Sequence, residues 1–136
     1  MKILLDTNIV LDKLNKRQPF NLDADKIFDL IIDGEIIGYI TASNITDIYY
    51  LLCKAIGTNA SMATIENLLD IFEVISVTKS DCRKALKSGV KDFEYALVAV
   101  CALKADLDYI ITRDVEFLTF EKSISPDDFV SKVLGV

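Results

Sequence analysis

Apolar positions along the chain fall into two patterns, short continuous runs and longer stretches with helical spacing. The short runs predict strands at residues 2–5, 36–40, 74–77 and 109–111. The helical stretches predict a helix ending near Leu14, then helices at about 22–33, 41–55, 59–71, 80–89 and 92–104, and one after Ser125. Strands that alternate with helices are typical of a three-layer α/β fold with a mainly parallel sheet.

Capping residues place several helix ends. Either Thr41 or Ser43 can begin the third helix, because hydroxyl side chains cap helix N-termini. For the same reason Ser80 is expected to begin the basic helix at about 80–89, which Gly89 ends. Residues 96–103 are apolar on every side of their helix. Such a helix is expected between two layers of the fold rather than on its surface.

The length and composition favour one compact domain over residues 1–136. The chain has 51% hydrophobic residues, two prolines and five glycines, so it can bury a continuous core. No uninterrupted apolar run approaches the roughly 18 residues that a membrane-spanning helix needs. We therefore expect a cytoplasmic protein with no membrane partner.

Histidine is absent from the sequence, which excludes serine–histidine triads, histidine bases and most zinc sites. The three cysteines, Cys53, Cys82 and Cys101, lack the close spacing of a metal motif and are expected to be reduced, buried thiols. Acid–base or metal chemistry must therefore come from carboxylates.

The net charge of −6 argues against tight, nonspecific binding of nucleic acid. Cations are nevertheless concentrated in two segments, Lys79, Arg83, Lys84, Lys87 and Lys91, and Lys13, Lys16 and Arg17. In the first segment Arg83, Lys87 and Lys91 would share one helical stripe, which could guide a phosphate backbone. The favoured interpretation is a solvated helix face whose cations complement the helix dipole.

Acids occur where several predicted elements meet one edge of the sheet. Asp6 ends the first strand, Asp114 follows the last, Asp47 lies early in the third helix, and Asp92 and Glu94 begin the apolar helix. The carboxyl ends of parallel strands open onto a ligand crevice, so these acids are expected to converge. Each alone could be an ordinary first-turn acid. Together, without histidine, they suit Mg²⁺ or Mn²⁺ and phosphodiester hydrolysis.

Four segments, taken in order and at similar spacing, resemble a PIN domain over nearly the whole chain. They are residues 4–8 (LLDTN), 45–49 (ITDIY), 92–94 (DFE) before an alanine-rich helix, and 111–114 (ITRD). The resemblance implies a three-layer α/β/α PIN-like fold with a mainly parallel sheet and a metal-dependent ribonuclease. Many stand-alone members are VapC-like toxins that cleave RNA and are silenced by a cognate antitoxin protein.

The resemblance also implies a role for each matching residue. Asp6 would be the central metal ligand, with Asp47 and Asp114 as further acids and Mg²⁺ or Mn²⁺ as the ion. Thr112 and Asn8 would position the site. These five residues are the core of the expected catalytic set.

One position departs from the family pattern. Where the family has an acid directly before the alanine of the long helix, this chain has Tyr95. Asp92 lies one helical turn earlier on roughly the same face and is expected to replace the missing ligand. Glu94 would point elsewhere in a regular helix and could contribute only if the helix begins late. The alternative consequence is weakened or lost activity.

Two other functions compete with the nuclease. Asp6 could be the nucleophile of a haloacid-dehalogenase-type phosphatase, but the second acid of that motif is Asn8 here and the downstream lysine and acid pair is not evident. The chain could also be a PIN-like module that binds RNA or protein without cleaving it, which Tyr95 favours.

A homodimer is the expected assembly. Two helices carry apolar stripes that exceed what one sheet face needs, Ile45, Ile48, Tyr49 and Leu52, and Met62, Ile65, Leu69 and Phe72. Core packing is the more frequent explanation for such stripes, but PIN domains commonly pair.

Overall fold

A computed structural model describes residues 1–135, which contain one parallel five-stranded sheet. The strands are β1 (Lys2–Leu5), β2 (Ile37–Thr41), β3 (Glu73–Ile75), β4 (Tyr109–Ile111) and β5 (Ser123–Ile124). Their order across the sheet is β3-β2-β1-β4-β5, and every neighbouring pair is parallel. The predicted three-layer α/β/α fold with a parallel sheet is confirmed.

Helices connect the strands and cover both faces of the sheet. They are α1 (Thr7–Leu14), α2 (Asn21–Ile32), α3 (Ala42–Ile56), α4 (Thr58–Ile71), α5 (Lys79–Lys87), α6 (Phe93–Lys104) and α7 (Pro126–Asp128). A 3₁₀ turn spans Phe117–Thr119, and a π-helical segment spans Phe129–Val133. Within residues 1–135 no helix combines the length and the apolar character that crossing a bilayer would require.

Alternation along β1 divides the core between the two faces. Ile3 and Leu5 point to a core formed with α1 to α4 and the C-terminal segment, whereas Leu4 points to the opposite core with α6. On that second side, α5 packs over α6 through Ala85, Ala96 and neighbouring residues. The helix α6 therefore lies between the sheet and α5, as its apolar sequence predicted.

The strand order reverses direction at β1, and this reversal creates a crevice. The chain moves from β1 to β2 and β3 on one side, whereas β4 and β5 lie on the other. The amide of Asp6 donates to the carbonyl of Ile111 at 3.0 Å, so the ends of β1 and β4 are held side by side. Such a switch point is where open α/β sheets bind ligands.

The basic helix differs from its prediction at both ends. Its cap is Thr78 rather than Ser80, because Thr78 and Asp81 exchange side-chain and backbone hydrogen bonds in a capping box. The helix ends at Lys87, so Lys91 lies beyond it. The predicted three-cation stripe is therefore wrong.

The remaining differences are small. The strand β5 was not predicted, and the bounds of the other predicted strands agree within two residues, the largest difference being the third strand, which ends at Ile75 instead of residue 77. All three cysteines are free, but only Cys101 is buried. Of the apolar stripes, Ile48 and Leu52 belong to the core, whereas Met62 is 58% exposed and Leu69 46% exposed.

Candidate active site

A cleft of about 330 Å³ opens beside the ends of β1 and β2 and the start of α6. Three carboxylates line it, Asp6, Asp47 and Glu94. Thr7 and Asn8, from the first turn of α1, complete the wall next to Asp6. Elements far apart in sequence therefore deliver acids to one small volume, as the sequence predicted for Asp6 and Asp47.

Asp6 is held rigidly at the centre of this arrangement. It is the N-cap of α1, where one carboxylate oxygen accepts the amide of Thr7 at 2.8 Å. The other oxygen accepts the hydroxyl of Thr112 at 3.0 Å, which joins β1 to β4. Burial raises the pKa of Asp6, partly opposed by these two hydrogen bonds. Its ionised form is therefore costly until a cation compensates it.

Asp47 and Glu94 approach the cleft from the beginnings of two helices. Thr41 starts α3 by accepting the amide of Asn44 at 3.1 Å, which leaves Asp47 in the second turn, facing the cleft. Glu94 lies in the first turn of α6. Partial burial, hydrogen bonding with Asp47 and repulsion from Asp47 and Asp6 raise the pKa of Glu94 to about 7.

Asp92 and Glu94 occupy the reverse of their expected places. Asp92 is the exposed N-cap of α6, and its carboxylate accepts the amide of Tyr95 at 3.2 Å. It does not line the cleft, whereas Glu94 does. The condition under which Glu94 was expected to contribute is met, because α6 begins one residue late, at Phe93, which leaves Glu94 in the open first turn. Which acids bind a metal stays a prediction.

Asp114 lies behind Asp6 rather than in the lining of the cleft. Its amide donates to the Thr112 hydroxyl at 3.1 Å, and its carboxylate accepts the amide of Glu116 at 3.0 Å. The Asp114 charge also contributes to the raised pKa of Asp6. Thr112 thus connects the two acids through a single hydroxyl group.

The family profile described as the PIN domain matches residues 2–116. This chain belongs to the PIN-domain family. No characterised protein sequence matches it significantly over any part of its length.

Solved structures share the fold of this PIN domain at low sequence identity. The sarcin–ricin loop cleaving toxin VapC20 of Mycobacterium tuberculosis superposes with a TM-score of 0.70 at 16% identity, covering 86% of this chain and 93% of the other. A toxin–antitoxin complex from Klebsiella pneumoniae gives 0.70 at 16%, covering 91% and 97%. VapBC2 of Rickettsia felis, bound to a promoter DNA fragment, gives 0.67 at 16%, covering 92% and 97%.

A buried ion pair that the sequence analysis missed supports the PIN-domain site from behind. Arg113 donates from Nε and Nη2 to the two carboxylate oxygens of Asp12, at 2.7 and 2.9 Å. Arg17 lies 3.8 Å from the same carboxylate and also donates to Asn8 at 3.4 Å. The guanidinium of Arg113 stacks over the Phe20 ring at 3.8 Å. These contacts fix the segment that carries Thr112 and Asp114.

The donor chemistry of the PIN-domain cleft fits a hard cation. Its three acids supply only oxygen ligands, and the Thr7 hydroxyl beside them is buried without a hydrogen-bond partner. Over residues 1–135, no three acidic or cysteine side chains are gathered closely enough to form a finished metal site. Asp6, Asp47 and Glu94 are the acids that line this cleft.

Proposed function

We propose that this PIN domain is a divalent-metal-dependent endoribonuclease that hydrolyses RNA phosphodiester bonds. The observation that carries the proposal is the convergence of Asp6, Asp47 and Glu94 on one cleft at the switch point of the sheet. Carboxylate clusters of this kind suit Mg²⁺ or Mn²⁺. The family match and the VapC-like fold of the solved structures support the same chemistry.

In this proposal Asp6, Asp47 and Glu94 hold the ion. When bound, a divalent ion supplies an activated water and stabilises charge on the phosphate. Thr112 keeps Asp6 oriented through its 3.0 Å hydrogen bond, and Asp114 adds negative charge behind it. Asp92 begins α6 and thereby places Glu94.

The raised pKa of Glu94 supports a site built for a cation. Near pH 7 without metal, the Glu94 carboxyl is about half protonated because its neighbours are also acids. A cation between these acids favours their ionised forms, so metal binding releases a proton. The same linkage predicts that Mn²⁺ stabilises the folded protein.

We further propose that the protein is the toxin of a toxin–antitoxin pair and acts in the cytoplasm as a single domain. Two of the solved structures with this fold are toxin–antitoxin assemblies by their descriptions. An antitoxin would have to cover the acidic cleft with basic or apolar side chains. Exposed apolar residues on α3 and α4, including Met62 and Leu69, support a homodimer contact.

The first test is cleavage of labelled single-stranded RNA in Mn²⁺ or Mg²⁺, with EDTA as control. Asp6→Asn and Glu94→Gln should each reduce cleavage at least about 100-fold, because losing even an outer-shell partner costs 10–100-fold. Asp92→Asn is the matched control, since asparagine can still cap α6 and the side chain lies outside the cleft. The Asp92→Asn variant should retain most of the cleavage activity.

A non-cleaving RNA- or protein-binding module is the second candidate, and Tyr95 at the family's acid position favours it. This function predicts that the folded protein binds RNA equally well in Mn²⁺ and in EDTA, and that the metal-loaded protein cleaves none of several RNAs. Cleavage that survives both EDTA and Asp6→Asn would contradict the proposed metal mechanism.

A further inference from the structure

A second cavity, of about 220 Å³, adjoins the acidic cleft. The half-buried side chain of Tyr95 lines both spaces, so they lie next to each other at this residue. The second cavity is formed by the start of α6 and the segment that follows β4. We call it the aromatic groove, and it is lined chiefly by Val90, Tyr95, Glu116, Phe117, Thr119 and Phe120.

Three rings give the aromatic groove its shape. Tyr95 and Phe117 have ring centroids 4.8 Å apart with planes inclined at 56°. Phe117 and Phe120 lie 6.3 Å apart at 86°. Phe117 is 3% exposed and forms the floor, whereas Tyr95 and Phe120 are half-buried and leave part of their surface open. Partly exposed aromatic faces stack with nucleobases of unpaired RNA.

The polar edge of the groove is tied to the candidate site. The amide of Glu116 donates to the Asp114 carboxylate at 3.0 Å, and Thr119 donates its hydroxyl to the carbonyl of Glu116 at 2.9 Å. Within residues 1–135 the Glu116 carboxylate forms no hydrogen bond or ion pair, so it is available as an acceptor. The side of the groove that carries Glu116 and Thr119 is therefore hydrogen-bonded to the loop that carries Asp114.

We propose that the aromatic groove binds one unpaired nucleobase next to the scissile phosphodiester, an inference that rests on the proposed ribonuclease function. The free carboxylate of Glu116 favours a base with an exocyclic amino group over uracil, because only the amino group can donate to it. The groove adjoins, across Tyr95, the cleft that would hold the phosphate. It is also too small for a partner helix, which needs anchors over several turns.

The test measures binding separately from cleavage. Asp6→Asn protein is titrated into labelled single-stranded oligoribonucleotides by fluorescence anisotropy, with one abasic nucleotide moved along the strand. In the same background, Phe120→Leu removes a stacking face, and Phe120→Tyr retains a ring as the matched control. Stacking on one aromatic side chain is worth enough that Phe120→Leu should weaken binding about tenfold. Phe120→Tyr should bind nearly as well as its parent.

The decisive result is whether the effect of an abasic nucleotide on binding depends on the side chain at position 120. One abasic position should weaken binding to the parent about tenfold but have little further effect on Phe120→Leu. At that position uracil should bind more weakly than cytosine, and the difference should disappear in Glu116→Gln/Phe120→Leu. The proposal is overturned if no abasic position weakens binding, or if the effects of the abasic nucleotide and of Phe120→Leu are additive. It is also overturned if Phe120→Leu changes the oligomeric state but leaves RNA binding unchanged.

Cleavage by the unsubstituted protein separates the two proposals. If it cleaves RNA while the abasic scan is flat, the nuclease stands and the base site fails. If it cleaves nothing while one abasic position couples to Phe120, the base site stands and the nuclease fails.

Discussion

Replacing Arg113 with alanine is expected to destabilise the protein by about 3 kcal/mol, because it leaves a buried carboxylate without its main partner. Asp12 has a side chain that is only 1% exposed, and Arg113 contacts both of its oxygens at 2.7 and 2.9 Å. Removing one member of a buried ion pair typically costs about 3–5 kcal/mol. The stability lost when Arg113 is removed is therefore estimated from this range.

Two neighbours adjust that value in opposite directions. Arg113 is 27% exposed, and Arg17 lies 3.8 Å from the Asp12 carboxylate and can recover part of the lost attraction, so the loss of the pair itself falls below that range, at about 2–2.5 kcal/mol. Stacking of Arg113 over Phe20, which is 43% exposed, adds about 0.5–1 kcal/mol. The sum is close to 3 kcal/mol, a large share of the roughly 5–15 kcal/mol by which domains are stable.

Urea unfolding followed by circular dichroism measures this loss. With an m-value of about 2 kcal/mol per molar, the midpoint should fall by about 1.5 M. Arg113→Lys keeps the charge but loses the planar two-point contact, so it should fall between the parent and Arg113→Ala. Adding Asp12→Asn to Arg113→Ala should recover stability, because no buried charge then remains.

A loss below about 1 kcal/mol for Arg113→Ala would refute this reasoning, since that is the range of solvent-exposed pairs. An Arg113→Lys variant as stable as the parent would likewise show that the two-point geometry contributes nothing.

Three other substitutions test separate parts of the structure. Gly38→Ala should cost about 1–3 kcal/mol in urea unfolding, because the new Cβ would lie 2.8 Å from a Phe72 ring carbon in the packed core; an unchanged midpoint would contradict that contact. The pKa of Glu94 rises from 4.5 to about 7 on folding, so in EDTA the free energy of unfolding should fall as pH rises through that window, and Glu94→Gln should flatten the profile. The hydrogen bond from Lys104 lowers the pKa of Asp81, so the stability that this pair contributes is present above pH 3.8 and is lost as pH falls further. Asp81→Asn should lower the free energy of unfolding by about 1–3 kcal/mol at neutral pH and should make it decrease less steeply in acid. An acid dependence identical to that of the parent would contradict the pairing.

Local pattern predicted most of the fold because each long element has its own periodicity and caps. The strand β5 escaped prediction because two residues, Ser123–Ile124, carry no apolar run and depend on β4 for their hydrogen bonds. The capping error was avoidable. Thr78 has an acid three residues later, Asp81, whereas Ser80 has Arg83, and only the first spacing is that of a capping box.

The candidate site was predictable where backbone topology alone places a side chain. Asp6 ends a central strand, so any parallel sheet would direct it to the crevice. The pairing of Asp12 with Arg113 joins residues 101 positions apart, and spacing along the chain cannot reveal such a contact. A charged residue within the apolar sequence of α1 was the available signal, because buried acids require partners.

The positions of Asp92, at the N-cap of α6, and of Glu94, in the lining of the cleft, show how the start of a helix decides which acid reaches the cleft. In the middle of a helix, a step from position 95 to 94 rotates a side chain by about 100° and would remove it from the cleft. In the first turn, Glu94 has no preceding turn to pack against, and its side chain leans toward the helix N-terminus, where Asp47 lies. The carboxylate can therefore be supplied from position 94, which leaves Tyr95 free to pack on Phe117 and divide the cleft from the aromatic groove. A tyrosine at the family's acid position is then compatible with a complete acidic cleft and adds a wall that an aspartate could not form.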